Sequence, residues 1–206
     1  MNSIKSSTPS TGSEESLGVA GSGTPDGGQQ SMTSKTLEKE PDQLTRVKDS
    51  LTMAQKLRLM QVPRWTIVPL LRNQSVAEHS WAVAILAMEL AYRCGINPED
   101  VAKHAVEHDI TEVVTGDIPT PLKKAIVSAG AGHVVHHEPI PEGDGIATIV
   151  KIADTMEAII YISRWGNSLQ AKNIQNEMYE RLNAELYESP TVKKHVFDII
   201  AEALDE

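Results

Sequence analysis

Several common ways of life are closed to this chain by what it lacks. It holds one cysteine, Cys94, so no disulfide can form within it, and a reducing compartment is the simplest setting. With no histidine or cysteine near it in sequence to activate it, Cys94 reads as a packed thiol near a helix end. Basic residues are few: 19 Lys and Arg face 28 Asp and Glu, the net charge is -9, and no Lys/Arg-rich run stands out. Such a surface repels a phosphate backbone, which argues against duplex nucleic acid as a partner but leaves room for a small anion at a locally cationic or metal-bearing site. No stretch reaches the roughly 20 apolar residues of a membrane-spanning helix. Nor does a basic segment followed by an apolar one mark a secretory signal, so a cytoplasmic location away from membranes is expected. Hairpin turns and alternating apolar runs of useful length are missing too, which removes the usual signs of a sheet.

Aromatic residues make up 4% of the chain and none precedes Trp65. From Met1 to about Lys35 the sequence is dominated by Ser, Thr, Gly and Pro, as in Gly18-Val19-Ala20-Gly21-Ser22-Gly23, and cannot bury enough apolar surface to order itself. Residues 1–45 therefore read as a disordered tail and linker, and 46–206 as one catalytic-sized domain.

Beyond the linker the punctuation is helical. Ser50 can cap a helix carrying Leu51, Ala54, Leu57 and Leu59 that stops before Pro63. Ser75-Val76-Ala77-Glu78 is a capping box, followed by Trp81, Ile85, Met88 and Tyr92 in helical spacing and closed by Gly95. Asn97-Pro98 opens a helix that can run to the region of Gly116. After the rigid turn Pro119-Thr120-Pro121 comes a short helix at 122–127, then a Gly-, His- and Pro-rich loop to about Gly145. Long apolar-patterned segments at 146–165, 169–186 and 192–204 follow. The fold class expected is all-α, an irregular helical bundle.

Chemistry concentrates on His108-Asp109. An imidazole and a carboxylate side by side offer borderline and hard donors to one divalent ion, although the dipeptide alone is a weak signal. Glu112, four residues after His108, falls on the same face of a continuous helix. His79 sits in the first turn of a mostly apolar helix whose start is fixed by the capping box. Asp154 is a carboxylate in the apolar stretch Val150-Lys151-Ile152-Ala153, where burial without a partner is costly and a metal removes the cost.

The order His79, then His108-Asp109, then Asp154 resembles the HD-domain phosphohydrolases. The longer strings Arg64-Trp65, Glu78-His79-Ser80, the run from His108 to Pro121, and Lys151-Ile152-Ala153-Asp154 are similar to the YfbR-type bacterial 5′-deoxynucleotidases and the related phage dATP triphosphohydrolases. The resemblance runs from about residue 50 to the C-terminus and implies a helical bundle of the HD-domain type. It also implies that His79, His108, Asp109 and Asp154 bind one divalent ion (Co²⁺, Mn²⁺, Zn²⁺ or Fe²⁺) and that Glu112 orients or protonates around the attacking water. By the same resemblance Arg64, Lys123 and Lys151 meet phosphate oxygens, and Asp117 meets the sugar 3′-hydroxyl. Trp65 lies where a 2′-hydroxyl would clash, and Ile67 and Pro121 line the nucleoside pocket.

The implied activity is hydrolysis of a small-molecule deoxynucleotide. Trp65-Thr66-Ile67 resembles the phage base pocket, in which a branched residue follows the Trp by two, and that resemblance tips the expectation to dATP giving deoxyadenosine and triphosphate; release of phosphate from deoxynucleoside monophosphates is the alternative. A homo-oligomer, dimeric or built from dimers, is implied as well, and the host cytoplasm if a phage encodes the chain. Three other readings compete. His104-Ala105-Val106-Glu107-His108 fits the H-x-x-E-H pattern of inverted zinc peptidases. His133, His136 and His137 could bind a second metal, though a flexible polar loop explains them as well. A nucleotide sensor could keep the cage without turnover, but it would have no use for Glu112.

Overall fold

Side-chain caps fix three of the helix starts. In the computed structural model, which describes residues 43–132, 145–187 and 189–205, the first helices are α1 (Gln43–Ser50) and α2 (Met53–Lys56). Thr52, not Ser50, caps α2: its hydroxyl accepts from the Gln55 N–H while the Gln55 side chain accepts from the Thr52 N–H. Ser50 instead ends α1, and the segment after α2 tightens into a 3₁₀ turn at Leu57–Gln61. The last three residues of the expected linker are thus helical; the remainder of the expected tail lies outside the described residues.

Helix α3 (Val76–Cys94) starts on the expected capping box: the Ser75 hydroxyl accepts from the Glu78 N–H, and Glu78 accepts from the Ser75 N–H at 2.8 Å. It ends at Gly95, whose φ of 73° is a left-handed conformation that glycine adopts without strain. Asn97 and Pro98 open α4 (Pro98–Glu107), which stops earlier than its sequence pattern allows. Residues 108–111 form turns, and a separate short helix, α5 (Glu112–Thr115), follows. The remaining helices are α6 (Thr120–Ser128), α7 (Ile146–Trp165), α8 (Leu169–Tyr187) and α9 (Pro190–Leu204). The loop with His133, His136 and His137 falls outside the described residues. Among those described there is no strand, only isolated bridges Pro63↔Ser75 and Leu70↔Gly166, and the fold is all-α.

Apolar on nearly every side, α7 can only be a central helix. It buries Ile149, Ile152, Met156 and Ile159 against Val83, Ala87 and Leu90 of α3, Val101 and Ala105 of α4, Leu182 and Leu186 of α8, and Val196 and Ile199 of α9. The apolar series in helical spacing does not form the core face of α3: Trp81 is 67% exposed and Tyr92 74%, Ile85 is exposed as well, and Met88 is half-buried. Small residues, Ala84, Ala87 and Ala91, line the inner face and let α3 approach α7 closely. A second, smaller cluster of Leu59, Val76 and Ile110, with Val62 and Val113 packed on it, supports the turn that carries His108 and Asp109.

The 62–75 loop is strapped at both ends. Arg64 N donates to Gln74 O (2.8 Å), Val76 N to Val62 O (2.9 Å) and Leu71 N to Trp165 O (2.9 Å), which ties the loop to the start of α3 and to the end of α7. Tyr161 adds a hydroxyl donated to Arg72 O at 3.0 Å.

Candidate functional site

A fully buried imidazole at the first turn of α3 is held from one side only. The Nδ1 of His79 lies 2.6 Å from Glu157 Oε2, so Nδ1–H is the donor and the Nε2 lone pair points the other way. There it meets two carboxylates, Asp154 Oδ1 at 3.2 Å and Asp109 Oδ2 at 3.5 Å. His108 repeats the arrangement: Nδ1 donates to Ala105 O at 2.6 Å, and Nε2 faces Asp109 Oδ2 at 3.3 Å. The two rings are tilted by 57° with centroids 5.3 Å apart. Neither Nε2 has a hydrogen-bond partner.

Two imidazole lone pairs aimed at carboxylates in a solvent-poor pocket repel unless a cation sits between them. His79, His108 and Asp109 offer ligand atoms that all lie within 4.8 Å of one another, compatible with bonds of about 2.0–2.2 Å to a shared ion. Asp154, half-buried on α7, lies outside that group of three but faces His79 Nε2 at 3.2 Å and could add a second carboxylate oxygen. The donor set fits Zn²⁺, Mn²⁺, Co²⁺ or Fe²⁺. Without the ion, protons must do its work. Burial opposes charge on His108, but Asp109 outweighs it and pushes the imidazole up to about 9. Burial likewise opposes ionisation of Asp109, yet His108, His79 and Arg64 hold its carboxyl well below the usual range.

Glu112 lies deep beside this group. The break after α4 places it at the start of α5, so its proximity comes from a turn, with Glu112 N donating to Asp109 O at 2.9 Å, and not from the shared face of one helix. Burial first, and the Asp109 charge second, push its carboxyl up to about 7, in spite of Lys123 Nζ at 3.1 Å from Oε1. The other oxygen, Oε2, has no partner. Such a carboxyl can exchange a proton near neutral pH.

Cations approach from the 62–75 loop and from the helices. Arg64 places Nη1 3.8 Å from Asp109 Oδ2, while its Nε and Nη1 are buried without a hydrogen bond, a guanidinium prepared for an anion. Trp65 is partly buried at φ 60°, a conformation rare for a bulky side chain. Its indole stacks on Tyr161 with 3° between the planes and donates from Nε1 to Gln74 Oε1 at 2.9 Å. Gln74 in turn donates to Glu157 Oε1 at 2.6 Å. An unbroken chain of contacts thus joins Trp65 to His79 through Gln74 and Glu157.

Of the residues singled out from sequence, the fold brings together His79, His108, Asp109, Asp154, Glu112, Arg64 and Lys123. Asp117, half-buried between α5 and α6, is close enough for its charge to act on Arg64 and Glu112. Lys151 is 61% exposed and 3.6 Å from Glu185, whereas Ile67 and Pro121 are exposed on the loop after Trp65 and in α6. His104 does not join the cluster, and Glu107 is paired with Lys48 at 3.2 Å, which removes the inverted-peptidase arrangement. Gln74, Glu157, Arg181 and Glu185 escaped the sequence reading. Glu157 carried a usable signal, a carboxylate three residues after Asp154 on the same apolar helix; Arg181 and Glu185, on the polar helix α8, carried none.

The chain is similar to several known proteins. Residues 51–128 match the family model described as 5′-deoxynucleotidase YfbR-like. The dATP triphosphohydrolase of Salmonella phage PMBT28 is 37% identical over 158 residues, covering 68% of this chain and 80% of the phage enzyme. A 5′-deoxynucleotidase of Erwinia tasmaniensis is 43% identical over 72 residues, 32% of this chain and 36% of that enzyme. Among solved structures, the Cyanophage S-2L HD phosphohydrolase DatZ, bound to dA and one catalytic Zn²⁺ ion, superposes with a TM-score of 0.62 at 23% identity, covering 75% of this chain and 96% of the other.

Proposed function

From the premise that the chain belongs to the HD-domain phosphohydrolases, in the group of YfbR-like 5′-deoxynucleotidases and phage dATP triphosphohydrolases, we propose that it hydrolyses 2′-deoxynucleoside 5′-phosphates, with dATP giving deoxyadenosine and triphosphate. The observation that carries this is the pair of orphaned Nε2 atoms, on His79 and His108, facing Asp109 and Asp154 beside an Arg64 whose buried Nε and Nη1 lack hydrogen bonds. A divalent ion held by those four residues supplies Lewis acidity and charge neutralisation.

The chain's own residues do the rest. Arg64, unable to lose its proton and without a hydrogen bond at Nε and Nη1, would bind a phosphate of the substrate and neutralise charge that grows on its oxygens. Glu112, with a carboxyl poised at about 7, orients the attacking water through Oε2 and receives its proton, while Lys123 on Oε1 keeps the carboxylate in place. Lys151 adds positive charge from the solvent side. Asp117 accepts from the sugar 3′-hydroxyl, and Ile67 and Pro121 contact the nucleoside. Trp65, clamped by Tyr161 and Gln74, presents a rigid flat face to the 2′ carbon.

The triphosphate reading is favoured by the phage relative, which this chain matches over 80% of the relative's length; the bacterial match extends over 36%. Phosphate release from deoxynucleoside monophosphates is the second reading, supported by the family model. Purified protein with Co²⁺, Mn²⁺ or Zn²⁺ is offered dATP and dAMP separately, and triphosphate and phosphate are quantified. Triphosphate from dATP alone is the expected result, phosphate from dAMP alone selects the second reading, and inertness toward both with every metal removes the proposal. Trp65→Ala should slow deoxynucleotide turnover and narrow the ratio of kcat/KM for dATP over ATP, because the obstacle to a 2′-hydroxyl has gone. A uniform loss on both substrates would make Trp65 a packing residue only.

The chain also associates with itself in this reading. The exposed series Trp81, Ile85 and Tyr92 on α3 gives an apolar surface suited to a dimer. Trp81→Glu should lower the sedimenting mass; a parent that already sediments as a monomer would refute the association.

A further inference from the structure

Each of the two carboxylates facing the imidazoles carries an arginine. Arg64 stands at Asp109; at Asp154 the arginine is Arg181 of α8, with Nη2 3.6 Å from Oδ2. The two are held differently. Arg64 keeps its Nε and Nη1 buried and without hydrogen bonds, whereas the Arg181 side chain is 44% exposed and anchored by Nε, which donates to Glu185 Oε1 at 2.9 Å. Glu185 is itself buried, with 7% of its side chain exposed. It accepts from Thr155 Oγ1 at 3.1 Å and lies 3.6 Å from Lys151 Nζ. One buried carboxylate therefore gathers two cations, Arg181 from α8 and Lys151 from α7, on the solvent side of Asp154.

This placement makes little sense for the ion alone. A guanidinium beside a ligand carboxylate competes for its charge and repels the cation to be bound. A polyanion would reconcile the two: Asp154 would help hold an ion, and the outer N–H groups of the guanidinium would be available to the anion while Glu185 keeps the Nε end fixed. We propose that Arg181, positioned by Glu185 and assisted by Lys151, binds the phosphates beyond the first of a bound polyphosphate and so selects triphosphate over monophosphate. The inference rests on the triphosphate reading for its biological meaning, but its physical content is an affinity for inorganic triphosphate.

The test is calorimetric titration of inorganic triphosphate, and separately of inorganic phosphate, into the Mn²⁺-loaded full chain, with metal content measured before and after each titration. Arg181→Gln should weaken triphosphate binding by about tenfold or more and leave phosphate binding unchanged. Arg181→Lys keeps the charge and loses the two-pronged contact, so it should fall between the parent and Arg181→Gln. It also serves as the informative variant if the glutamine form fails to fold. Equal weakening for both anions, or unaltered triphosphate binding in either folded variant, would overturn the proposal. If the parent leaves dATP intact while the triphosphate affinity still drops in Arg181→Gln, the substrate reading falls and the Arg181 site stands.

Discussion

The centre and the rim of the site are built on opposite principles. At the centre, His79 has no exposure and Glu112 and Glu157 have 3% and 4%, and each is fixed by packing helices and by a partner on a different element. At the rim, Lys151 is 61% exposed and Ile67 54%, and their positions depend on loops and on one ion pair. The difference teaches where each kind of selectivity can reside. A geometry good to a fraction of an ångström, needed for metal binding and proton transfer, requires side chains that folding has already immobilised. Recognition of a substrate's outer parts tolerates side chains that settle only when it binds.

The largest effect should come from the centre. Asp109→Ala removes the oxygen that both imidazoles face, and metal content and turnover should disappear together; a stoichiometric metal with normal turnover would break the distinction. Next comes Glu157, which touches no proposed substrate group yet fixes the His79 tautomer. Glu157→Gln should lower metal affinity by about 10- to 100-fold, measured by chelator competition. Unchanged affinity would mean that packing alone orients His79.

The metal-free protein sharpens the contrast through pH. The His108 pKa in the fold, about 9, exceeds the unfolded value of about 6.5, so its stabilising contribution is complete below the latter and fades as pH rises through the former. Glu112, raised to about 7, loses stability in the same direction over a lower window, from about 4.5 to 7. The melting temperature of the chelated protein should therefore decline from pH 6 to pH 9, whereas affinity for the ion rises as there are fewer protons to displace. A flat melting profile would show that His108 is neutral without metal. The smallest effect belongs to His104, one turn before His108 but outside the cluster: His104→Ala should keep metal content and activity within a few-fold of the parent, and loss of both would restore the H-x-x-E-H arrangement.

Legibility followed the locality of each signal. The capping box at Ser75, the left-handed Gly95 and the span of α7 are written in neighbouring residues, and the structure has them where the sequence predicts. The pattern after Asn97 suggested one long helix because apolar spacing persists through Val113. The chain nevertheless turns at 108–111, where Ile110 packs against Leu59 and Val76. The Trp81, Ile85 and Tyr92 series shows a second limit: periodicity finds an apolar face without saying which way it turns, and α3 packs inward on alanines.

The sequence by itself determined that the chain is helical, where its main helices start and stop, and that Asp154 is a carboxylate set in an apolar helical stretch; its grouping with His79, His108 and Asp109 was an expectation from the family resemblance. The helices and the cost at Asp154 follow from backbone capping, periodicity and the cost of burying charge, all properties of short stretches. Only the tertiary structure decided that Glu157 and Gln74 link Trp65 to His79 and that Arg181 of α8 stands against Asp154 of α7. Such contacts join residues up to 83 positions apart, and their energy depends on distances of a few ångströms that are set only when α3, α7 and α8 pack together.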